Sequence, residues 1–190
     1  MSRRALSIGV WIAVAAPAAA IAWQAAYEDL GANPIETLEQ ATGGWALRLL
    51  LATLAVTPLR RLTGWQEIAR FRRRLGLAAF AYAALHFALW SVFDNGLDPA
   101  SIAEDIAKRP YVTVGFTAFV LLVPLAVTST RASMRRLGKR WVALHRLVYV
   151  AAVLAVVHFL WLVKKDLREP LVYAAVLGAL FAARWLVRRR

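Results

Sequence analysis

His86, His145 and His158 are the only histidines in this 190-residue chain, and each lies inside a long apolar run. An ionisable ring in hydrocarbon is expensive, so an intramembrane histidine marks a binding or relay site by default. The imidazole nitrogen is also a common metal ligand. With no cysteine in the chain, disulfides, thiolate-bound metals, iron–sulfur clusters and thioether-attached haem are excluded. What remains is a non-covalent group held by histidine. Zinc fits less well than haem, because no carboxylate or thiolate lies near these positions to close a tetrahedral site. Haem needs two axial imidazoles and an apolar slot. The competing reading, a histidine packed between helices and hydrogen-bonded to a neighbour, explains one isolated ring better than it explains three.

The elements that must position these rings are membrane spans. Hydrophobic residues make up 61% of the chain, and the mean hydropathy is +0.54. That is more apolar surface than one soluble core hides. Six apolar segments, at about 5–23, 44–59, 75–93, 111–130, 141–163 and 171–187, approach the roughly 20 residues that cross a bilayer, the second and sixth falling short. The expectation is an all-α integral membrane protein, a six-helix transmembrane bundle forming one domain over 1–190. No internal repeat is expected. The first segment resembles a signal peptide in its Arg3–Arg4 start, but its apolar run continues past Ala20 and reads as a retained anchor.

Charge sets the orientation. Arg3 and Arg4, the 60–74 and 131–140 loops and the C-terminal arginines lie on one side, whereas every acidic residue except Glu67 lies on the other. The positive-inside rule then places both termini in the cytoplasm of a multi-pass protein of the bacterial inner membrane, with Lys164, Lys165 and Arg168 as a mild exception. The net charge of +13 is a topology signal, and nucleic acid is a poor partner for it. If the third segment enters near Leu75, His86 lies roughly 17 Å deep. If the fifth enters near Trp141, His145 lies roughly 6 Å and His158 roughly 26 Å deep. One iron cannot use both histidines of the fifth segment, so His86 pairs with either His158 or His145. Arg48, in the second segment, is a candidate partner for a haem propionate, as is Arg146 beside His145. The run 70–74, with Arg72, Arg73 and Arg74, reads as an anchor on anionic lipid, a docking surface for a cytosolic reductase, or a flavin-phosphate contact.

Several stretches carry a family resemblance: GANPIETLEQATGGWAL at 31–47, LATLAVTPLRRL at 51–62, FRRRLGLAAFAYAALHF at 71–87, LAVTST at 125–130 and KRWVALHRLVYVAAVLAVVHFLW at 139–161. The chain resembles the MsrQ (YedZ) family of the ferric-reductase-like transmembrane superfamily. That resemblance implies a haem b electron-transfer subunit. Its electrons come from a cytosolic flavin reductase or the quinone pool, and its acceptor is MsrP, a periplasmic molybdenum enzyme that repairs methionine sulfoxide. It also implies that His86, His145 and His158 are haem ligands and that FMN is an associated cofactor. NADPH oxidases of the superfamily carry two histidines on each of two helices. The third segment here has only His86, so one haem is expected, or two if a ligand is shared. Two other readings stay open at this point: a quinol-linked cytochrome b with a different periplasmic acceptor, and a small transporter whose histidines line a polar path. A transporter would be marked by repeat halves with matching midplane interruptions.

Overall fold

The computed structural model describes residues 3–164 and 166–189, so Lys165 and Arg190, both part of the charge pattern, lie outside the described residues. Among the described residues every regular element is helical. They are α1 (Arg3–Tyr27), α2 (Pro34–Thr63), α3 (Phe71–Leu89), α4 (Pro99–Lys108), α5 (Pro110–Val127), α6 (Arg131–Leu137), α7 (Lys139–Leu144), α8 (Leu147–Leu162) and α9 (Arg168–Arg189). A 3-10 turn at Gln66–Arg70 leads into α3, and a π-turn at Trp90–Asp94 extends it. Six stretches are long and apolar enough to span a membrane: Arg4–Tyr27, Pro34–Thr63, Gln66–Asp94, Pro110–Val127, Lys139–Leu162 and Arg168–Val187. The expected six-span, all-α architecture is the observed one.

Element boundaries differ from the apolar runs wherever polar residues do the capping. The second span is not short: α2 has 30 residues. Its start is set by Asn33, whose Oδ1 accepts the Glu36 N–H at 3.3 Å while its Nδ2 donates to Glu36 Oε2 at 3.1 Å. Pro34 takes the first helical position, where a missing N–H costs nothing. Gly64, at φ 71°, ends the helix in the left-handed conformation that favours glycine. The connection at 94–110 is likewise more than a loop. Asp98 accepts from the N–H groups of Ala100 and Ser101 at 3.2 and 3.1 Å and starts α4. Asp98→Ala is expected to destabilise α4 by about 1 kcal/mol and leave the spans in place. Amide exchange at Ala100 and Ser101 measures this, and unchanged protection there would show that the cap does not hold the helix.

The fifth segment is also irregular. At His145–Arg146 the helix tightens locally, with the Arg146 N–H on the Ala143 carbonyl and the Tyr149 N–H on the Arg146 carbonyl, each at 3.1 Å, while both residues keep right-handed helical dihedrals, so α7 and α8 lie in one span, Lys139–Leu162.

The core forms where α2 packs on α3 and α5 packs on α8, with α9 lying against α2 and α8. Ala79, Ala151 and Ala152 are essentially inaccessible, and their small side chains let the helix backbones approach closely. α1 is tied to α3 by Tyr82, whose hydroxyl donates to the Val14 carbonyl at 2.8 Å, and by Arg74, which donates to Ser7 Oγ at 2.6 Å. On the outside, Trp11, Ile12 and Trp23 of α1 and Leu171, Val172 and Leu186 of α9 are exposed, an apolar coat suited to lipid.

Candidate haem site

His86 on α3 and His158 on α8 face each other, with ring centres 6.4 Å apart and ring planes at 69°. Each ring is pinned from behind by a carbonyl of a third or fourth helix. His86 Nδ1 lies 3.0 Å from the Glu39 carbonyl oxygen of α2, and His158 Nδ1 lies 2.7 Å from the Tyr111 carbonyl oxygen of α5. A carbonyl only accepts, so Nδ1 carries the proton in both rings. The lone pair is left on Nε2, the arrangement that orients a histidine for a metal.

Glycine makes these contacts possible. A Cβ on Gly43 would sit 3.2 Å from the His86 ring, and a Cβ on Gly115 would sit 2.6 Å from His158 Nδ1. In a helix the carbonyl of residue i points toward residue i+4, so a glycine there clears the way to the oxygen. Gly43 stands four residues after Glu39, and Gly115 stands four after Tyr111. The same construction is therefore built twice. Glu39, Gly43 and His86 map onto Tyr111, Gly115 and His158 by a shift of 72 residues, and Arg74, Leu75, Ala79, Ala83 and Phe87 map by that shift onto Arg146, Leu147, Ala151, Ala155 and Phe159. This corrects the expectation of no internal repeat. The repeated unit is a helix pair whose identities are confined to one face, too sparse to stand out in the linear sequence.

The surroundings are apolar. Phe87 stacks on Phe119 at 5.0 Å and meets Phe116 at 5.7 Å, and Phe80 stacks on Phe119 at 5.8 Å, forming an aromatic wall between α3 and α5. Two imidazoles on opposite sides of one iron, with metal–nitrogen bonds of about 2 Å, place their ring centres roughly 6 Å apart. The observed separation, the Nδ1-protonated rings and the glycine cradles all fit a bis-imidazole haem. Among the described residues no cluster of three or more His, Asp or Glu is arranged to hold a bare metal ion.

His145 stands apart from this pair. It lies at the turn between α7 and α8, stacked on Trp141 at 3.9 Å, with Nε2 3.0 Å from Thr128 Oγ1. Thr128 spends its single hydroxyl proton on the Pro124 carbonyl at 2.6 Å, so His145 Nε2 is the donor. Trp141 Nε1 also donates to the Thr128 carbonyl, at 2.9 Å. These bonds latch the turn to the end of α5 and give His145 the opposite tautomer to the other two. Arg48 lies over Trp45 and donates to Tyr173 at 2.7 Å, with Glu169 at 3.4 Å, so it ties α2 to α9. Arg146 and Arg73 are exposed, Arg74 is held by Ser7, and Arg72 lines a separate cavity. Gly43 and Gly115 are the site residues that sequence reasoning passed over. Their signal was a glycine inside a helical run, doubled with Gly44 at position 43 and single at position 115.

Comparison with known proteins gives the family. Residues 42–156 match the family model described as ferric reductase like transmembrane component. The chain is 52% identical to the protein-methionine-sulfoxide reductase heme-binding subunit MsrQ of Ralstonia nicotianae, over 99% of this chain and 88% of that one. Proteins of the same name from Bordetella pertussis and Xanthomonas campestris pv. campestris are 51% and 49% identical, over 88% and 100% of this chain and 84% and 91% of theirs. No solved structure matches. Identity at this level along nearly the whole chain, together with the family-model match and the six candidate spans, means that the protein belongs to the MsrQ family of ferric-reductase-like, multi-pass membrane proteins.

Proposed function

We propose that the chain is the haem-binding membrane subunit of a methionine sulfoxide reductase system, holding one haem b between His86 and His158. The observation that carries this is the pair of rings 6.4 Å apart, each with Nδ1 bound to a backbone carbonyl. His86 and His158 would hold the haem, and a haem held by two imidazoles would supply one-electron transfer rather than a site for substrate. α3 and α8 carry the two rings, α2 and α5 fix their orientations, and Phe80, Phe87 and Phe119 stack between α3 and α5. In this reading the arginine-rich face is cytoplasmic, and the histidine pair lies toward the acidic, periplasmic ends of α3 and α8. The subunit then takes electrons from a cytosolic flavin reductase or from quinol and delivers them to an MsrP-type molybdenum enzyme in the periplasm.

The test is optical and then functional. Protein purified from membranes after expression with adequate haem supply is expected to show the reduced spectrum of a low-spin, six-coordinate b-type haem. Added to a purified periplasmic reductase, it should support methionine sulfoxide reduction when it is itself reduced. Colourless protein of normal helical content would overturn the haem assignment. A coloured protein that never reoxidises in the presence of the reductase and sulfoxide would overturn only the proposed acceptor.

A further inference from the structure

Between the π-turn at Trp90–Asp94 and α4 the chain bends sharply through Asn95, Gly96 and Leu97. Gly96 and Leu97 stand at φ 57° and 60°, and among the described residues Leu97 is the only non-glycine with a positive φ. A residue with a Cβ is a costly occupant of that conformation, which glycine takes freely. The turn holds it there with backbone bonds. The Gly96 N–H donates to the Val92 carbonyl at 3.1 Å, the Leu97 N–H to the Ser91 carbonyl at 2.8 Å and the Asp98 N–H to the Asn95 carbonyl at 2.9 Å. Asn95 is buried and is fixed in turn by Ser101, whose hydroxyl donates to Asn95 Oδ1 at 2.8 Å. Strain of this kind persists only where the surroundings over-determine it. Yet the fold does not use the side chain it strains, because Leu97 is 63% exposed.

The place of the turn narrows what could cover that leucine. Asp94 lies within electrostatic reach of Glu39 of α2 and of Arg109 just before α5. Glu39 supplies the carbonyl that holds His86, and Arg109 stands two residues before Tyr111, which supplies the carbonyl that holds His158. The turn therefore stands over the ends of the helices that pin the histidine pair. Asp94 and Asp98 flank Leu97, and over 94–109 four carboxylates outnumber two cations. An apolar side chain in that setting is a poor anchor for an anionic lipid surface, whose headgroups its neighbours repel. It suits a protein that offers an apolar pocket inside a basic rim.

We infer that Leu97 is the apolar anchor of the surface on which the periplasmic electron acceptor docks, the acceptor presenting an apolar pocket within a rim of lysine and arginine. The inference rests on the reading of the chain as an electron-delivering subunit and adds where, and through what chemistry, the acceptor engages it. A rigid, exposed leucine ringed by charge is the usual form of a small docking hot spot, the apolar contact setting the lifetime of the complex and the charged rim its rate of encounter. Docking at this turn also brings the acceptor to the end of the bundle nearest the histidine pair.

The experiment measures binding of the full, haem-loaded chain in neutral detergent to a purified MsrP-type reductase, together with the chain's unfolding midpoint. Leu97→Gly is expected to weaken binding by about tenfold, while the midpoint holds or rises by up to about 4 °C as the strain is released. A leucine that served only the fold would lower the midpoint when removed, so this divergence of the two readouts is specific to docking. Leu97→Asn, which also tolerates the left-handed backbone, should behave like Leu97→Gly. Leu97→Met restores an apolar chain of similar size and should bind within about twofold of the parent. Asp94→Asn should weaken binding about threefold at low salt, a difference that fades as salt screens the rim. Leu62→Ala removes an equally exposed leucine from the arginine-rich end and should change binding less than about twofold. If the parent does not bind the reductase, the acceptor reading falls and this surface falls with it. If the parent binds and Leu97→Gly binds as tightly, or weakens only together with a lowered midpoint, the docking surface alone is overturned.

Discussion

His158→Ala is expected to strip the protein of its low-spin haem as completely as His86→Ala, with haem content falling by more than about tenfold in each, whereas His145→Ala keeps it. The asymmetry comes from the bonds each ring already makes. His86 and His158 spend Nδ1 on carbonyls and keep Nε2 for a ligand, at a ring separation of 6.4 Å. His145 spends Nε2 on Thr128 and sits near the start of α8, on the order of 20 Å along the axis from His158. Its loss should instead loosen the latch between α5 and the α7–α8 turn, at a cost of about 1 kcal/mol, read as a lower unfolding midpoint. Reduced-minus-oxidised spectra of the three variants, normalised to protein with helical content checked, decide the matter. A full-intensity low-spin spectrum in His86→Ala or His158→Ala, or a colourless but well-folded His145→Ala, would refute the pairing.

The six spans, their all-α character and the histidines as the residues of interest were readable directly, because bilayer thickness imposes a length and apolarity that no other element type meets. The pairing was not readable, for a definite reason. Depth was measured from the edges of apolar runs, and the edges at Leu75 and Trp141 do not mark the same level on the two helices. Hydropathy cannot see the local tightening at His145–Arg146, whose dihedrals stay helical. Measured from Arg74 and Arg146 instead, the two spans come into register and His86 and His158 fall at one level. The sequence offered Arg48 as a candidate propionate partner from its place in an apolar run and could not show its neighbours. Its partners, Tyr173 and Glu169, lie more than a hundred residues away in sequence, on α9. Only the packing of α2 on α9 brings them together.

Gly115→Ala is expected to damage the site while Gly43→Ala leaves it nearly intact, although both place one methyl group beside a histidine ring. At position 115 the added carbon would lie 2.6 Å from Nδ1, 2.8 Å from Cε1 and 3.0 Å from Cγ of His158, so the whole ring must move. Moving it breaks the 2.7 Å bond to the Tyr111 carbonyl, which fixes both the tautomer and the ring angle. Overpacking of this kind costs about 1–3 kcal/mol, against the roughly 1 kcal/mol that alanine gains over glycine inside a helix. The balance is a net loss at position 115. At position 43 the nearest ring atoms are 3.2 Å away, a clash that a shift of a few tenths of an ångström removes. There the helix-propensity gain offsets the crowding, and stability should stay within about 0.5 kcal/mol of the parent. Haem retained through purification and the unfolding midpoint should therefore both fall in Gly115→Ala and stay near parental values in Gly43→Ala. If the two substitutions behave alike, the glycines are not what gives the rings access to their carbonyls.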